Sequence, residues 1–228
     1  MTKDKGVTME KEMVLEQLFD TDHPEDILDR VRPFTELMTY YRCAMLEVQT
    51  KLEVLNAELS LQTSRNPFES IKCRLKSPIS IVNKMKRKGL EPTVECIENS
   101  IFDIAGVRVI CSFPSDIYML AESLMAQDDI KVCEVKDYIA NPKPNGYRSL
   151  HVILEIPIFL SNKKKYMKVE VQFRTIAMDF WASLEHKLKY KKEISEAEVI
   201  AEELKKCADD ISAIDNEMQR IRDRIEII

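Results

Sequence analysis

The hydrophobic period of this chain changes twice, and those changes constrain its fold more than any other feature. From Met38 the apolar residues Met38, Tyr41, Met45, Val48, Leu52, Leu55 and Leu59 fall at alternating spacings of three and four. That spacing puts them on one face of a long helix. The same pattern returns near the end, at Ile200, Leu204, Cys207, Ile211, Ile214, Met218, Ile221 and Ile225. Between the two seams the period drops to two. Val107, Val109 and Cys111 alternate with Arg108 and Ile110, and Val169, Val171 and Phe173 alternate with Lys168, Glu170, Gln172 and Arg174. Strict alternation is the mark of a strand with one apolar face. Further strands are expected at Ile130 to Val135 and His151 to Ile158, with helices at Ser115 to Gln127 and Thr175 to Tyr190. The expected class is α+β: a mixed central sheet flanked by helices, with long helices at both ends.

A chain of 228 residues, 45% hydrophobic and 32% charged, can bury a real core and is not a disordered sequence. Its division is expected at 1–62, a helical extension, at 66–192, the core that carries the chemistry, and at 193–228, a helix for self-association. A C-terminal helix of about 33 residues would run about 50 Å, longer than a domain this size can cover. The longest apolar run, Leu150 to Leu160, is interrupted by His151 and Glu155 and is too short to span a membrane. The opening MTKDKGVTMEKEM is charged, without an apolar signal region. A soluble, cytoplasmic protein is the expectation. The net charge of −5, from 34 basic and 39 acidic residues, speaks against general nucleic-acid binding. The six cysteines contain no CxxC and only three histidines accompany them, so they read as reduced, small apolar residues rather than zinc ligands.

Three segments carry potential chemistry. Ile71 to Leu90 holds seven basic residues and no acidic one. Within it Ser77-Pro78 suits a helix start and Gly89 a helix stop. Ser80, Lys84 and Arg87 would then form one polar stripe, with Ile79, Val82 and Met85 opposite. Several cations facing one place suit a polyphosphate; a solvated basic helix face is the plainer alternative and on composition alone the commoner one. Tyr138 to His151 joins two strands by a loop longer than a hairpin needs, with Lys143 before an Asn145-Gly146 turn and Tyr147 and Arg148 after it. A ring beside cations can hold a base and its phosphates; an ordinary loop with a core tyrosine is the alternative. Asp103 precedes one strand and Glu170 lies within another. Two carboxylates on neighbouring strands could hold Mg²⁺; on the sequence alone a turn cap at Asp103 and an ion pair of Glu170 with Lys168 or Arg174 is the commoner explanation.

Together the motifs RLKSPISIVNKMKRKG, DIAGVRVIC, YIANPKPNGYRSLH and VEVQFRTIAMDFWASLEHKLKYK resemble, in order and spacing, the (p)ppGpp synthetases of the RelA/SpoT homologue family. The resemblance covers about Asn66 to Lys192, and the chain length is similar to that of the small alarmone synthetases. Asp179 in AMDFW is closer to the RelP type than to the RelQ type.

That resemblance implies a nucleotidyltransferase-like fold, a homotetramer, and Mg²⁺-dependent transfer of the β,γ-pyrophosphate of ATP to the 3′-hydroxyl of GDP or GTP in the stringent response. It implies Arg74 and Arg108 on the adenine, and Lys76, Ser80, Lys84 and Arg87 on the phosphates and ribose of ATP. It implies Asp103 as a Mg²⁺ ligand and Glu170 as a metal ligand or general base. Tyr147 would stack on guanine, Lys136, Lys143 and His151 would lie near the acceptor phosphates, and Gln172 and Asp179 near the acceptor nucleotide. Neither a hydrolase domain nor ribosome-sensing domains fit the length, so synthesis alone is expected. Two alternatives remain: a pyrophosphotransferase of the same scaffold acting on adenosine nucleotides or tRNA, and a silent nucleotide-binding module.

Overall fold

The computed structural model describes residues 24–63, 66–189 and 197–226. The N-terminal residues 1–23, the expected helix end at Tyr190 and the expected boundary at Lys192 lie outside the described residues. The elements run α1 (Pro24–Thr63), β1 (Phe68–Leu75), α2 (Pro78–Lys88), α3 (Val94–Ser100), β2 (Ala105–Cys111), α4 (Pro114–Met125), β3 (Lys131–Asp137), β4 (Leu150–Phe159), β5 (Lys164–Thr175), α5 (Ile176–Lys189) and α6 (Ala197–Glu226). Two compact units meet this description, one ending at Thr39 and one beginning at Tyr40, so the division falls inside α1. In the first unit the described part is helical, with the Thr35 and Thr39 hydroxyls donating back to the carbonyls of Val31 and Thr35.

In the second unit the five strands form one mixed sheet, ordered β1-β2-β5-β4-β3. β2 and β5 are parallel; the other three pairings are antiparallel. The alternation on β5 does what its pattern predicts. Val169, Val171 and Phe173 are fully buried, while Lys168, Glu170 and Gln172 stay partly exposed on the other face. Onto the apolar face packs α4, through Ile117, Leu120, Ala121 and Leu124. Each such side chain contributes about 1.5–3 kcal/mol on burial. From Tyr40 onward α1 also buries its seam, at Tyr41, Ala44, Val48, Leu52, Leu55 and Leu59.

Two elements lacked a sequence expectation. β1 was hidden in a run of basic residues, although Ile71-Lys72-Cys73-Arg74-Leu75 alternates correctly for an edge strand. α3 has seven residues, too few for a period; its signal is Thr93, whose hydroxyl caps the Cys96 amide. The apolar stripe of α2 needs a correction. Ile81 and Met85 are its buried residues, and Ile79 and Val82 are exposed. Apolar residues at 79, 81, 82 and 85 cover too wide an arc for all to face inward. The helix is rolled so that Ser80 and Lys84 border the buried edge. Ser77 and Gly89 cap it as expected: the Ser77 hydroxyl accepts from the Ser80 amide, and Gly89 takes the left-handed φ of 65°.

The C-terminal seam also divides. Leu204 and Ile211 pack, with Ala208, against Tyr147, Trp181 and Ala182. Farther on, Asp215 is buried, whereas Ile214, Met218, Ile221 and Ile225 are exposed, Ile214 by 62% and Ile225 by 66%. The exposed four keep a three-four spacing along about 17 Å of helix. Among the described residues no helix is long and apolar enough to cross a membrane.

Candidate active site

Strand register builds the site. Lys72 on β1 stands opposite Arg108 on β2, Arg108 opposite Gln172 on β5, Gln172 opposite His151 on β4, and His151 opposite Lys136 on β3. One row of polar side chains therefore crosses the whole sheet on the face away from α4. In the next row Arg74, Gly106 and Glu170 are neighbours. Gly106 puts no side chain between Arg74 and Glu170, and a cavity of about 400 Å³ opens there. It is lined by Arg74, Lys76, Ser80, Asp103, Arg108, Glu170 and Gln172 together with Lys72, Gly106 and Val107. A Cβ at Gly106 would meet nothing closer than the Arg74 carbonyl oxygen at 3.5 Å. The backbone thus tolerates a side chain there, while the cavity would lose volume to it.

Asp103, in the turn before β2, is the focus of one end. Its Oδ2 accepts from Lys76 Nζ and Lys84 Nζ, both at 2.7 Å. Its Oδ1 is buried without a hydrogen-bond partner. Burial pushes the Asp103 carboxyl up, but the hydrogen bonds and charges of the two lysines outweigh it and hold the carboxyl below its ordinary value. Glu170 behaves alike. Burial raises it; hydrogen bonds from His151 and Gln172 lower it further than burial and the nearby Asp103 charge raise it, so the net direction is down. Both carboxyls are ionised near neutrality. An ionised pair close enough to repel, one oxygen of it orphaned in a buried place, suits a hard divalent cation, which prefers carboxylate and phosphate oxygens. Among the described residues no group of three or more His, Cys, Asp or Glu side chains could hold a metal ion. A cation here would draw its remaining ligands from water and substrate phosphates, as Mg²⁺ commonly does.

The other end is a closed ring of hydrogen bonds. His151 Nε2 lies 2.8 Å from the Tyr147 hydroxyl, and His151 Nδ1 lies 3.4 Å from Glu170 Oε1. Gln172 Nε2 donates to Glu170 Oε2 at 2.7 Å. Arg174 Nη2 donates to Gln172 Oε1 at 3.2 Å and to the Tyr147 hydroxyl at 2.6 Å, which completes the circuit. Lys143 Nζ sits over the rings of Tyr138 and Tyr147, 4.5 and 4.7 Å from their centres. Lys136 lies at the rim and is paired with Glu134 at 2.7 Å.

Asp179 comes from the first turn of α5. It is buried, and its oxygens accept from Arg174 Nη1 at 3.0 Å, Arg108 Nη1 at 3.1 Å and Lys72 Nζ at 3.2 Å. Burial raises its carboxyl, and the three cations bring it down past its ordinary value. Asp179 therefore ties the cations of β1, β2 and β5 together. Arg87 is exposed on α2, one turn beyond Lys84, and is not part of the cavity lining. Lys72 and Arg174 are the residues that sequence reasoning passed over. Arg174 lay in plain view as the next outward position of the β5 alternation, after Lys168, Glu170 and Gln172.

Residues 73–195 match the family pattern described as the region found in RelA / SpoT proteins. GTP pyrophosphokinase YwaC of Bacillus subtilis is 44% identical over 204 residues, which cover 90% of this chain and 97% of that protein. The chain belongs to the RelA/SpoT family. GTP pyrophosphokinase YjbM of the same organism is 36% identical over 186 residues, 82% of this chain and 87% of that protein. The crystal structure of small alarmone synthetase 2 from Bacillus subtilis superposes with a TM-score of 0.75 at 44% identity, covering 84% of this chain and 98% of that one. Small alarmone synthetase 1, bound to its product pppGpp, superposes with a TM-score of 0.76 at 34% identity, covering 84% and 97%. The expected mixed sheet flanked by helices is thus the architecture of this family's small members. The polar ring and every residue lining the cavity except Lys72 fall within the matched region.

Proposed function

We propose that this protein is a GTP pyrophosphokinase: it transfers the β,γ-pyrophosphate of ATP to the 3′-hydroxyl of GDP or GTP and releases AMP. The observation that carries this reading is one cavity in which two ionised carboxylates, Asp103 and Glu170, face Arg74, Lys76 and Arg108. The relatives named as GTP pyrophosphokinases and as alarmone synthetases support it. In the reaction a bond forms between the 3′-oxygen and the β-phosphorus, and the bond from the α–β bridging oxygen to the β-phosphorus breaks. The bridging oxygen leaves on AMP. The in-line groups carry negative charge, so the protein's task is to neutralise and orient them. Arg74 and Arg108 would flank the adenine; Lys76 and Lys84, with Ser80 and Arg87 near the ribose and phosphates, would bind the donor. Asp103 and Glu170 would hold Mg²⁺, which supplies charge neutralisation when bound. Glu170 would accept the 3′-hydroxyl proton as attack develops; its low pKa keeps it deprotonated beforehand. Tyr147 would stack on guanine, with Lys136, Lys143 and His151 near the acceptor phosphates and Gln172 beside the acceptor. Asp179 would act there by fixing Arg108 and Arg174.

The test offers labelled ATP with GDP, GTP, ADP or tRNA, with and without Mg²⁺, and separates the products by chromatography. Label on GDP or GTP, dependent on Mg²⁺, is expected. Label on ADP or tRNA, or on nothing, overturns the reading. The same reading places the protein in the cytoplasm and in the stringent response.

The exposed stripe Ile214, Met218, Ile221 and Ile225 supports self-association, as a homotetramer in the manner the family resemblance implies. Ile214→Glu with Ile221→Lys is expected to shift the mass seen by light scattering toward smaller species. A parent chain that already runs at 26.5 kDa at micromolar concentration would end that part of the proposal.

A further inference from the structure

The loop of residues 138–149 that carries Tyr147 is held from behind by α6, and Arg148 makes the attachment. Its Nη1 donates to the carbonyl of Gly146 at 3.1 Å and to the carbonyl of Ala208 at 3.3 Å. Its Nη2 donates to Asp209 Oδ1 at 3.0 Å. The guanidinium thus bonds the turn immediately before Tyr147 and one turn of α6 at once, a geometry that suits a planar fork. Backbones are in direct approach at the same place. Gly146 has a φ of 85°, and a Cβ there would stand 2.6 Å from Ala208 Cβ and 3.3 Å from Lys205 Cα. One turn earlier Trp181 Nε1 donates to the Leu204 carbonyl at 2.9 Å, and Tyr147 packs against the cluster of Trp181, Ala182 and Ala208.

We propose that Arg148 is a positioning residue for the acceptor nucleotide: by clamping the 146–148 turn onto residues 208 and 209 of α6, it sets where the Tyr147 ring stands. This rests on the acceptor role proposed for Tyr147. Arg148 lines neither the cavity nor the ring of hydrogen bonds, so its effect must pass through the loop. Lysine would keep the charge and lose the fork, so it should restore the clamp only in part.

Three variants decide it: Arg148→Ala, Arg148→Lys, and the exchanged pair Arg148→Asp with Asp209→Arg. Steady-state KM for ATP and for GDP, melting temperature and the emission of Trp181, the chain's single tryptophan, are measured on each. Arg148→Ala is expected to raise the GDP KM about tenfold, roughly the effect of losing a charged hydrogen-bonded contact. The ATP KM should stay within about twofold, and Trp181 emission should shift to the red as α6 loosens beside it. Arg148→Lys and the exchanged pair should fall between that variant and the parent. An unchanged GDP KM overturns the proposal. So does a rise of both KM values together with a lowered melting temperature, which would mark a purely structural role. A raised GDP KM with Trp181 emission unmoved also overturns it, since Arg148 would then be touching the nucleotide directly. A parent chain that transfers pyrophosphate to no guanosine nucleotide defeats the functional reading itself, and the positioning role with it. An active parent beside a normal Arg148→Ala variant defeats the positioning role alone.

Discussion

On the Asp103 side of the cavity the cations stand on regular elements: Arg74 on β1, Lys84 on α2, Arg108 on β2. Lys76 and Lys84 share one carboxylate oxygen, and the cavity lies open before them. On the Tyr147 side the polar groups are bonded to one another in a closed ring: Tyr147 comes from a loop whose backing is a separate helix, and His151, Glu170, Gln172 and Arg174 come from β4 and β5. The first arrangement suits a ligand recognised by charge. Lysine ammoniums on flexible stems can leave Asp103 for phosphate oxygens at small geometric cost, and Asp103 then has oxygens to offer a cation. The second suits a ligand recognised by shape and hydrogen bonding, because the Tyr147 ring is fixed in advance at its hydroxyl by Arg174 and His151. Glu170 joins the two: it lines the cavity with Asp103 and closes the ring with His151 and Gln172.

If Glu170 is that junction, its loss should produce the largest effect. Glu170→Gln keeps the size but removes the charge and replaces one of the two oxygens that face Gln172 and His151 with an amide donor. Transfer should fall about 10²–10⁴-fold, the span of a lost general base, with ATP binding largely retained. Asp103→Asn should follow closely, and added Mg²⁺ should rescue it only weakly. Near-normal turnover in Glu170→Gln would dissolve the contrast, because neither side would then need the residue they share.

A pair of milder substitutions should pull the two sides apart. Gly106→Val fills space between Arg74 and Glu170 without a backbone clash, since even the first carbon added meets only an ordinary contact. It should raise the ATP KM about tenfold or more and leave the melting temperature nearly unchanged. Tyr147→Ala should do the reverse. Stacking is worth about 1–3 kcal/mol, so the acceptor KM should rise about 5- to 150-fold while the ATP KM holds. Measuring both KM values on both variants checks the assignment of each side. If Tyr147→Ala raises only the ATP KM, the loop belongs to the other nucleotide.

How much of this was legible in the sequence differs between the sides in the same way. The Asp103 side was readable because Arg74, Lys84, Arg108 and Glu170 sit on periodic elements. Ser77-Pro78 and Gly89 bounded α2, and the alternation on β2 and β5 placed Arg108 and Glu170 on one face. What no period could supply was the pairing order of the strands, so the neighbourhood of Arg74, Gly106 and Glu170 emerged only with register. On the Tyr147 side the sequence offered an aromatic beside cations in a long loop. It held no sign that Arg148 turns away from the cavity to α6, 61 residues on, or that Asp179 joins Arg108 and Lys72, 71 and 107 residues back, to its near neighbour Arg174, because such distant contacts leave no local signature. The C-terminal seam was legible as a seam but not in its division. A heptad-like pattern shows that a helix has an apolar face but not how that face is divided, and α6 buries Leu204, Ala208 and Ile211 while leaving Ile214 to Ile225 outside.

The smallest expected effect concerns how α6 is attached. Thr175, at the junction of β5 and α5, accepts from the Met178 amide and donates its hydroxyl proton to Asp215 Oδ2 at 2.6 Å. Asp215 is buried, and burial raises its carboxyl more than that one hydrogen bond lowers it. A carboxyl whose folded pKa lies above the unfolded value binds its proton more tightly in the fold. Stability from this group therefore falls as pH rises from the ordinary carboxylate value through the raised one, and its cost is fully present at neutrality. Asp103, Glu170 and Asp179 slope the other way, since their folded values are lowered and their contribution is lost on acidification. Those three are unchanged by Asp215→Asn and cancel in a difference between variant and parent. The asparagine oxygen can still accept from Thr175 without the charge. Asp215→Asn should thus melt at or slightly above the parent at pH 7, and that margin should shrink as pH falls through the carboxylate range. A variant that melts well below the parent at pH 7 would mean that the Asp215 charge itself holds α6 in place, and the brace behind Tyr147 would then depend on charge as much as the Asp103 side does.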